Sequence, residues 1–570
     1  MAGGAEKTRE LTGAQVLVRT LIDQGVDTVF GYPGGTVLEI FDVLMDHADQ
    51  LRLVEPTHEQ HGCHAADGYA RATGRCGVVI ATSGPGATNL VTGIATAFLD
   101  SIPLVAVTGN VSNAMIGTDA FQELDITGVT LPITKHNYFV RDASRLQEVL
   151  REAFELALSG RRGPVLVDVP ADVQRALVPF EELPPVGARP PLEPSDEALR
   201  AAADAINASE RPFVYFGGGA VASEAGEQVV SLARRIGAPI GCSLMGVSGI
   251  PTRTEGFLGM EGMHGHAAST QAMSACDCLI ALGVRFNDRS TGDRATYAPS
   301  GRVVHVDVDS SEFSKTLEDR VEVQGDVRLV LERLLPLVTN ATHEAWDEQV
   351  SELVARERAG EDRREGLTPQ NVMAAINRRR PAQVPVVTDV GQHQMWAAQG
   401  LAFSRPRTFI SSGGLGTMGF GLGAAIGAAL GTRGPAILVT GDGSFAMNLA
   451  ELITAADNDL PVVVVLLNNG VLGMVRQMQS LFKRSRHAAT TIAHKADFIA
   501  MARAAGAAAT RVASVGEFEE ALARALAQDG PTLIECPIDP DEFVTPVLRI
   551  GASMDELIVT MDDVQARMGR

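Results

Sequence analysis

The chain has 570 residues, of which 45% are hydrophobic, so its length suits about three to four globular domains. Its formal net charge is -21, which argues against a nucleic-acid partner because phosphate binding needs surplus Lys and Arg. No apolar run approaches the ~18 residues of a membrane helix, and MAGGAEKTRE lacks the apolar region of a secretory signal. The six cysteines are dispersed along the chain, which indicates that they are reduced and serve as small apolar residues. We therefore expect a cytoplasmic protein without nucleic-acid or membrane partners.

Composition divides the chain at two places. PFEELPPVGARPPLEPSDEA holds six prolines and has no helical period, so it is typical of a linker. HEAWDEQVSELVARERAGEDRREG is charged and helix-prone, which predicts a solvated connecting helix. The predicted units are, in order, an N-terminal domain (1–180), a Pro-rich linker (181–198), a central domain (199–342), the charged helix (343–366), a C-terminal domain (367–545) and a tail (546–570).

Short Val- and Ile-rich runs that end in glycine alternate with longer Ala- and Leu-rich runs in all three large blocks. This pattern predicts α/β domains whose doubly wound parallel sheets are covered on both faces. Residues 78–110 align without a gap with 437–469, nine positions being identical, which indicates that the first and third domains are duplicates. The second copy has Asp442 where the first has Ser83, so we expect one metal site per chain.

The stretch GDGSFAMNLAELITAADNDLPVVVVLLNNG predicts a strand, a glycine turn, a helix and a second strand. Successive parallel strands end on the same edge of a sheet, so Asp442 and Asn469 should lie close together. Their oxygens suit Mg²⁺, which completes its shell with phosphate oxygens and water. The sequence therefore predicts a site for Mg²⁺ and a diphosphate. An ordinary Asp-Gly turn with an Asn cap is the alternative.

Several motifs in order along nearly the whole chain resemble the catalytic subunit of acetohydroxyacid (acetolactate) synthase, a thiamine diphosphate (ThDP) enzyme family. These motifs are GYPGG, HEQ, GYARATG, ATSGPGATNL, IGTDAFQE, ITKHNY, GMHG, GVRFNDR, TDVGQHQMWAAQ and GLGTMGFGL. The resemblance implies the three-domain ThDP-enzyme fold. It also implies decarboxylation of pyruvate and transfer of the hydroxyethyl unit to a second 2-keto acid. The products would be 2-acetolactate or 2-aceto-2-hydroxybutyrate, in branched-chain amino acid biosynthesis.

The resemblance assigns the cofactor residues. Glu59 would protonate the aminopyrimidine, and Met418 would be the apolar wedge that bends the cofactor. Other residues expected to contact ThDP are Val390, Gly391, Gln392, His393, Gly416, Asp442, Gly443, Ser444, Asn469, Gly473 and Met474, with Asp442, Asn469 and the Val471 carbonyl as Mg²⁺ ligands. Two alternatives remain for HEQHGCH: a zinc cluster of His58, His61 and His64, or an exposed helix glutamate.

The resemblance also assigns flavin and substrate residues. A structural FAD would lie on the central domain and would contact Arg161, Gly217, His264, Arg285, Asp307 and Asp326, although a ligand-free central domain fits the strand motifs equally well. Gln122, Phe121 and Arg289 match positions around the active-site entrance, with Gln122 assigned to catalysis and Arg289 to clamping a carboxylate. A structural surface arginine is the alternative for Arg289.

Three positions depart from the family pattern. Met478 stands where the family usually has the tryptophan tied to 2-ketobutyrate preference, Asn287 replaces the first aspartate of F-D-D-R, and Ala114 replaces a basic residue. These changes leave open a specialised carboligase with another acceptor, for example in secondary metabolism. A non-catalytic homologue is disfavoured because Glu59, Asp442 and Asn469 are present. The expected partners are 2-keto acids, a second copy in a homodimer or homotetramer, and a regulatory small subunit.

Overall fold

The computed structural model describes residues 9–293, 297, 301–313, 315, 320–360, 364–492, 495–553 and 556–568. Within them lie three six-stranded sheets, and every pair of neighbouring strands in each sheet is parallel. Helices cover both faces, so the central strands of each sheet, such as β5 (Leu104–Asn110), β12 (Cys278–Leu282) and β18 (Val462–Asn468), are almost entirely buried and rich in Val, Ile or Leu. The prediction of three parallel α/β units is confirmed.

The first sheet has the strand order β3-β2-β4-β5-β7-β6, and an antiparallel ribbon of β1 and β8 lies beside it. Its elements are β1 (Arg9–Thr12), α1 (Gly13–Asp23), β2 (Thr28–Tyr32), α2 (Leu38–Asp46), β3 (Arg52–Val54), α3 (Glu59–Thr73), β4 (Gly77–Ala81), α4 (Pro85–Asn89), α5 (Val91–Asp100), β5 (Leu104–Asn110), α6 (Ile126–Thr130), β6 (His136–Phe139), α7 (Leu146–Leu158), β7 (Pro164–Pro170), α8 (Ala171–Arg175) and β8 (Leu177–Phe180).

The second sheet has the order β11-β10-β9-β12-β13-β14. Its elements are α9 (Asp196–Asn207), β9 (Pro212–Phe216), α10 (Gly218–Ala222), α11 (Gly226–Arg235), β10 (Ile240–Cys242), β11 (Phe257–Met260), α12 (Ala267–Ala275), β12 (Cys278–Leu282), α13 (Asp288–Thr291), β13 (Arg302–Asp307), β14 (Arg320–Gln324), α14 (Val327–Leu334) and α15 (Glu344–Ala359). The charged helix α15 is less solvated than its composition suggested. Trp346 and Leu353 are buried, and the Trp346 indole donates to the Pro212 carbonyl at 3.1 Å.

The third sheet has the order β16-β15-β17-β18-β20-β19. Its elements are α16 (Pro369–Arg379), β15 (Val386–Thr388), α17 (Gln392–Gly400), β16 (Phe409–Ile410), α18 (Gly421–Thr432), β17 (Ala436–Gly441), α19 (Asp442–Asn448), α20 (Glu451–Asp457), β18 (Val462–Asn468), α21 (Gly473–Phe482), α22 (Phe498–Ala504), β19 (Ala508–Arg511), α23 (Val515–Ala525) and β20 (Thr532–Pro537), followed in the tail by α24 (Met561–Met568). In the described ranges, no helix combines the length and apolar character needed to cross a bilayer.

The two windows aligned by sequence have the same local structure. β4, α4, α5 and β5 follow one another in the first domain as β17, α19, α20 and β18 do in the third. In both sheets the two strands of the window are hydrogen-bonded neighbours. This correspondence supports the predicted duplication.

Helices α3 and α18 pack tightly and join the first and third domains. Small residues allow the approach, because a Cβ at Gly68 would overlap the backbone of Ala424, and one at Gly427 would overlap that of Ala65. We call this contact the α3–α18 seam. It places the helix that begins with Glu59 directly against the helix that follows Met418.

Candidate active site

One cavity of about 1030 Å³ lies between the three domains and is lined by residues from each. A volume of this size accommodates one large cofactor or two that meet. Most predicted cofactor and substrate residues line it: Arg161, His264, Arg285, Arg289, Asp307, Asp326, Val390, Gly391, Gln392, His393, Gly416, Met418, Asp442, Gly443, Ser444, Asn469, Val471, Gly473, Met474 and Met478. In the described part of the chain, Glu59, Phe121, Gln122 and Gly217 do not belong to this lining.

The third sheet ends at the cavity with the two polar residues of the GDG stretch. Gly441 pairs with Leu467 across β17 and β18, so both strands end on the same edge. Asp442 follows the first strand and is 1% exposed, and Asn469 follows the second. Together with the carbonyl of Val471, this edge offers a carboxylate, an amide oxygen and a main-chain oxygen. The all-oxygen donor set fits Mg²⁺.

Gln392 fixes the side chain of Asn469. Its Oε1 accepts a hydrogen bond from Asn469 Nδ2 at 3.4 Å, while its own Nε2 donates to Gln477 at 2.9 Å and to the Glu542 carbonyl at 2.8 Å. Asn469 Oδ1 accepts from the Val471 N–H at 3.2 Å. The orientation of the Asn469 amide at this edge is therefore determined by neighbouring residues on three segments.

Glycines keep this edge open to a ligand. A Cβ at Gly443 would come within 2.8 Å of Leu472 Cδ2 and within 3.9 Å of Met418 Cε. Gly416, just before Met418, has φ +69, which favours glycine. The backbone at Gly443 is therefore open on the cavity side, and the end of the Met418 side chain lies close to it.

His393 lies beneath the same edge and is buried. Burial lowers the pKa of its imidazole to about 3, so the ring is neutral at physiological pH. A Cβ at Gly441 would be 3.0 Å from its Nδ1, which shows how closely the ring packs under the turn. His393 can therefore contribute shape and a hydrogen bond here but no positive charge.

Glu59 lies outside the cavity lining, at the first residue of α3. Its Oε2 accepts a hydrogen bond from Asn89 Nδ2 at 2.9 Å. A Cβ at Gly86 would be 3.2 Å from its Oε1, and a Cβ at Gly84 would be 2.9 Å from the Cβ of Gln122. The turn containing these two glycines therefore contacts both Glu59 and Gln122. Phe121, next to Gln122, is 88% exposed.

Sequence reasoning missed Glu451, which anchors the segment before Glu59. Its carboxylate accepts hydrogen bonds from the Thr57 N–H at 3.2 Å, from the Thr57 hydroxyl and from the His58 N–H at 3.1 Å. Glu451 begins α20, immediately after the helix that begins with Asp442. A contact over nearly four hundred residues leaves no local signal in the sequence.

The alternative zinc site at His58, His61 and His64 is not supported. In the parts of the chain that the structure describes, no group of three or more His, Cys, Asp or Glu side chains could hold a metal ion. His58 instead accepts a hydrogen bond from the Gln60 N–H at 3.1 Å and caps α3. Burial lowers the pKa of His61 to about 4 and that of His64 to about 3.

Charged side chains of the first and central domains line the other end of the cavity. Arg161 donates to Asp309 at 3.0 Å and to Glu312 at 2.8 Å. Burial raises the pKa of Asp307, at the end of β13, to about 6. Asp326 caps α14 by accepting from the Arg328 N–H at 3.0 Å, so it also has a structural role.

Asn287 shows why one departure from the family pattern is tolerated. Its side-chain oxygen accepts hydrogen bonds from the N–H groups of Arg289 at 3.0 Å and Ser290 at 3.1 Å. It is thus the N-cap of α13, a position where Asn and Asp are equally favourable. The substitution preserves the placement of Arg289 at the cavity.

Met478 lies on α21 and is partly buried. It lines the cavity and packs against two apolar clusters, one of which includes Leu481, Phe543, Val547, Ile558 and Val564. The tail therefore supports this side of the cavity through Met478. A larger side chain at this position would have to fit against the tail.

Comparison with known proteins agrees with this organisation. Residues 11–129, 199–334 and 389–536 match, in order, the N-terminal TPP binding domain, the central domain and the C-terminal TPP binding domain of thiamine pyrophosphate enzymes. These matches confirm the ThDP-enzyme fold.

Curated relatives extend the match to almost the full length. The acetolactate synthase large subunit of Corynebacterium glutamicum is 41% identical over 97% of this chain and 91% of its own length. The acetolactate synthase isozyme 3 large subunit of Escherichia coli is 41% identical over 96% of this chain and 98% of its own length. The acetolactate synthase of Mycobacterium bovis is 43% identical over 96% of this chain and 91% of its own length. The chain belongs to the acetolactate synthase family of thiamine diphosphate enzymes.

Proposed function

We propose that the protein is a ThDP-dependent acetolactate synthase. It would decarboxylate pyruvate and join the two-carbon unit to a second 2-keto acid, giving 2-acetolactate or 2-aceto-2-hydroxybutyrate. The observation that carries this proposal is the oxygen-bearing edge of Asp442, Asn469 and Val471, which lines the same three-domain cavity as Met418. The relatives' names support the same reaction.

The third domain would hold Mg²⁺ and the diphosphate. Asp442, Asn469 and the Val471 carbonyl would be the metal ligands, and Gly443, Ser444, Gly473 and Met474 would contact the cofactor beside them. Val390, Gly391, Gln392 and His393 would form the second wall, and Met418 the apolar support under the cofactor. When bound, ThDP supplies the electron sink that decarboxylation requires.

The protein's own contribution is orientation and a proton. Glu59 would hold a proton at the aminopyrimidine, with Asn89 fixing its carboxyl orientation. Gln122 and Phe121 would contribute to the active-site entrance beside it. Arg289 would pair with the substrate carboxylate through its planar guanidinium. The cavity walls would keep water away from the reacting groups.

FAD is proposed for the central end of the cavity. Arg161, Arg285 and His264 would contact it together with Asp307 and Asp326, while Gly217 lies next to cavity-lining Gly218. The synthase reaction has no net redox step, so the flavin would be structural. Gel filtration of the purified enzyme followed by an absorption spectrum tests whether a flavin remains bound.

A second copy of the chain is proposed to complete each active site. Glu59 and Gln122 are outside the cavity that contains Asp442, and Phe121 beside them is exposed. A dimer in which each first domain faces the partner's third domain would bring these groups to the cofactor. We propose that the protein assembles as a homodimer or homotetramer together with a regulatory small subunit. The proposed location is the cytoplasm.

Mixing two inactive variants tests the shared site. A chain with Glu59→Gln and a chain with Asp442→Ala, unfolded and refolded together, should form mixed dimers with one intact site. We expect activity well above that of either variant refolded alone. No recovery, despite mixed dimers seen by native mass spectrometry, would contradict sharing between chains.

Product identification tests the reaction itself. The full chain would be incubated with ThDP, Mg²⁺, FAD and pyruvate, with or without 2-ketobutyrate, and the products identified by mass spectrometry. We expect 2-acetolactate in the first case and both acetohydroxy acids in the second. Acetaldehyde as the sole organic product would show a decarboxylase that does not ligate.

A further inference from the structure

The carboxylate of Asp389 joins separate segments of the proposed cofactor site. Oδ1 accepts hydrogen bonds from the Val390 N–H at 2.8 Å and the Gly419 N–H at 2.9 Å. Oδ2 accepts from the Gly421 N–H at 3.1 Å and from Asn448 Nδ2 at 3.3 Å. The side chain is fully buried, and Asp389 is not among the residues that line the cavity.

Asn448 adds a third segment, α19, to those that the Asp389 carboxylate connects. Its Nδ2 also donates to the Gly419 carbonyl at 3.0 Å. Asn448 ends α19, the helix that begins with Asp442. The Asp389 carboxylate therefore bridges three segments. These are the segment beginning at Val390, the glycine-rich segment that contains Met418, and α19, which begins with the proposed metal ligand Asp442.

The glycine-rich segment needs such an anchor. Gly416 and Gly419 have φ of +69 and +88. Glycine has more conformational entropy to lose than any other residue, so without fixed hydrogen bonds this backbone would adopt many conformations. Four donors surround a carboxylate whose pKa is raised to about 6 by burial, so it is largely ionised at neutral pH. Hydrogen bonds to a buried charged acceptor are stronger than neutral ones.

We propose that Asp389 is a positioning residue that sets the placement of Met418 relative to Asp442. This inference rests on the proposed function, in which those two residues contact different parts of one bound ThDP molecule. A displacement of about 1 Å between such groups is enough to cost about 100-fold in rate. Asp389 would thus affect both cofactor affinity and turnover without touching either substrate or cofactor.

The test compares Asp389→Asn with the wild type. Asparagine keeps the size but removes the charge and turns one acceptor into a donor that faces backbone N–H groups. ThDP binding at saturating Mg²⁺ can be followed by intrinsic fluorescence, since Trp396 lines the cavity. We expect about tenfold weaker ThDP binding or more, and a similar loss of kcat at saturating ThDP, with KM for pyruvate changed by less than about threefold.

A matched control carries the same substitution elsewhere. Asp277 accepts hydrogen bonds from the N–H groups of Glu210 and Arg211, both at 2.9 Å, in a turn that does not line the cavity. Asp277→Asn should lower thermal stability while leaving the ThDP dissociation constant and kcat close to those of the wild type. If Asp389→Asn behaves like this control, its role is structural only and the proposal is overturned.

A second variant covers the case in which Asp389→Asn does not fold. Asn448→Ala keeps the carboxylate and removes the bridge to α19. At least about threefold weaker ThDP binding is expected; an unchanged dissociation constant would overturn the proposal. Failure of the proposed function gives a different result, because the wild-type protein itself would then neither bind ThDP nor consume pyruvate.

Discussion

Asn89 donates a hydrogen bond to the carboxylate of Glu59 at 2.9 Å, so the proposed proton carrier is oriented by the helix two elements further along the chain. Both residues belong to the first domain, whereas the proposed metal ligands belong to the third. The first domain therefore presents a preorganised acid group that does not depend on the metal.

Glu59→Gln should keep the fold and ThDP binding but lose most turnover. Glutamine fits the same space and still accepts from Asn89, but it cannot exchange a proton. General acid–base groups typically contribute about 100- to 10,000-fold, and we expect a loss of kcat in that range. Steady-state kinetics at saturating ThDP measures it; near-normal kcat would remove Glu59 from the mechanism.

Asp442→Ala should abolish tight binding of ThDP. The substitution removes the charged oxygen of the proposed Mg²⁺ site and leaves the diphosphate uncompensated. Isothermal titration with ThDP and Mg²⁺ measures the loss. Asp457→Ala, which removes an exposed charge at the end of α20, is the control and should bind normally. Equal affinities for the two variants would show that the metal site has been misplaced.

Met478 should leave the acceptor pocket weakly selective. Discrimination between acceptors that differ by one methylene is worth only about 1–3 kcal/mol. The flexible thioether of Met478 should retain little of the selectivity that a tryptophan indole would provide at this position. We expect pyruvate and 2-ketobutyrate to compete as acceptors within about tenfold, and Met478→Trp to raise the 2-ketobutyrate preference. The ratio of the two products in a competition assay reports this. A wild-type preference of about fifty-fold for 2-ketobutyrate would contradict the prediction.

Arg71→Met should destabilise the protein strongly. Arg71 is buried and pairs with Asp67 and with Asp100, the latter at 2.8 Å, and its removal leaves two buried carboxylates without their counter-ion. Breaking a buried pair in this way costs about 3–5 kcal/mol. The exposed pair of Arg145 and Glu148 provides the control, since Arg145→Met should cost about 1 kcal/mol or less. Urea unfolding of both variants gives the comparison.

The stability contributed by Asp168 should fall as pH rises. Burial raises the pKa of this carboxyl from 3.8 to about 7, although Thr108 and Asn110 donate to it at 2.7 and 2.6 Å. The native state therefore binds the proton more tightly than the unfolded chain. The contribution to the free energy of unfolding is complete below about pH 4 and is lost as the pH rises through about 7.

Asp168→Asn cannot titrate, so comparing it with the wild type isolates this group. Between about pH 5 and about pH 8, the difference in urea midpoint should move in favour of the variant. All other titrating groups are common to the two proteins and cancel. A difference that does not change with pH would show that Asp168 titrates at the same pH in the folded and unfolded chain.

The sheets and the common edge at which β17 and β18 end were predictable because they depend on local patterns. Val-rich runs ending in glycine predict buried parallel strands, and the edge shared by β17 and β18 follows from parallel connectivity alone. The supports of the site were not predictable. Asp389 and Glu451 each act through several hydrogen bonds, most of them to residues far away in the sequence, and such contacts leave no periodicity or spacing. The ion pairs of Arg161 with Asp309 and Glu312 were likewise not predictable from the sequence.

The α3–α18 seam has a genetic consequence. In the proposed dimer, the Glu59 end of the seam serves the partner's catalytic centre, whereas the Met418 end serves the chain's own. A bulky substitution at Gly68 or Gly427 pushes the two helices apart and so disturbs one half of each centre. A cell that makes both normal and altered chains would then assemble mixed dimers with no undamaged centre, and such an allele would be dominant.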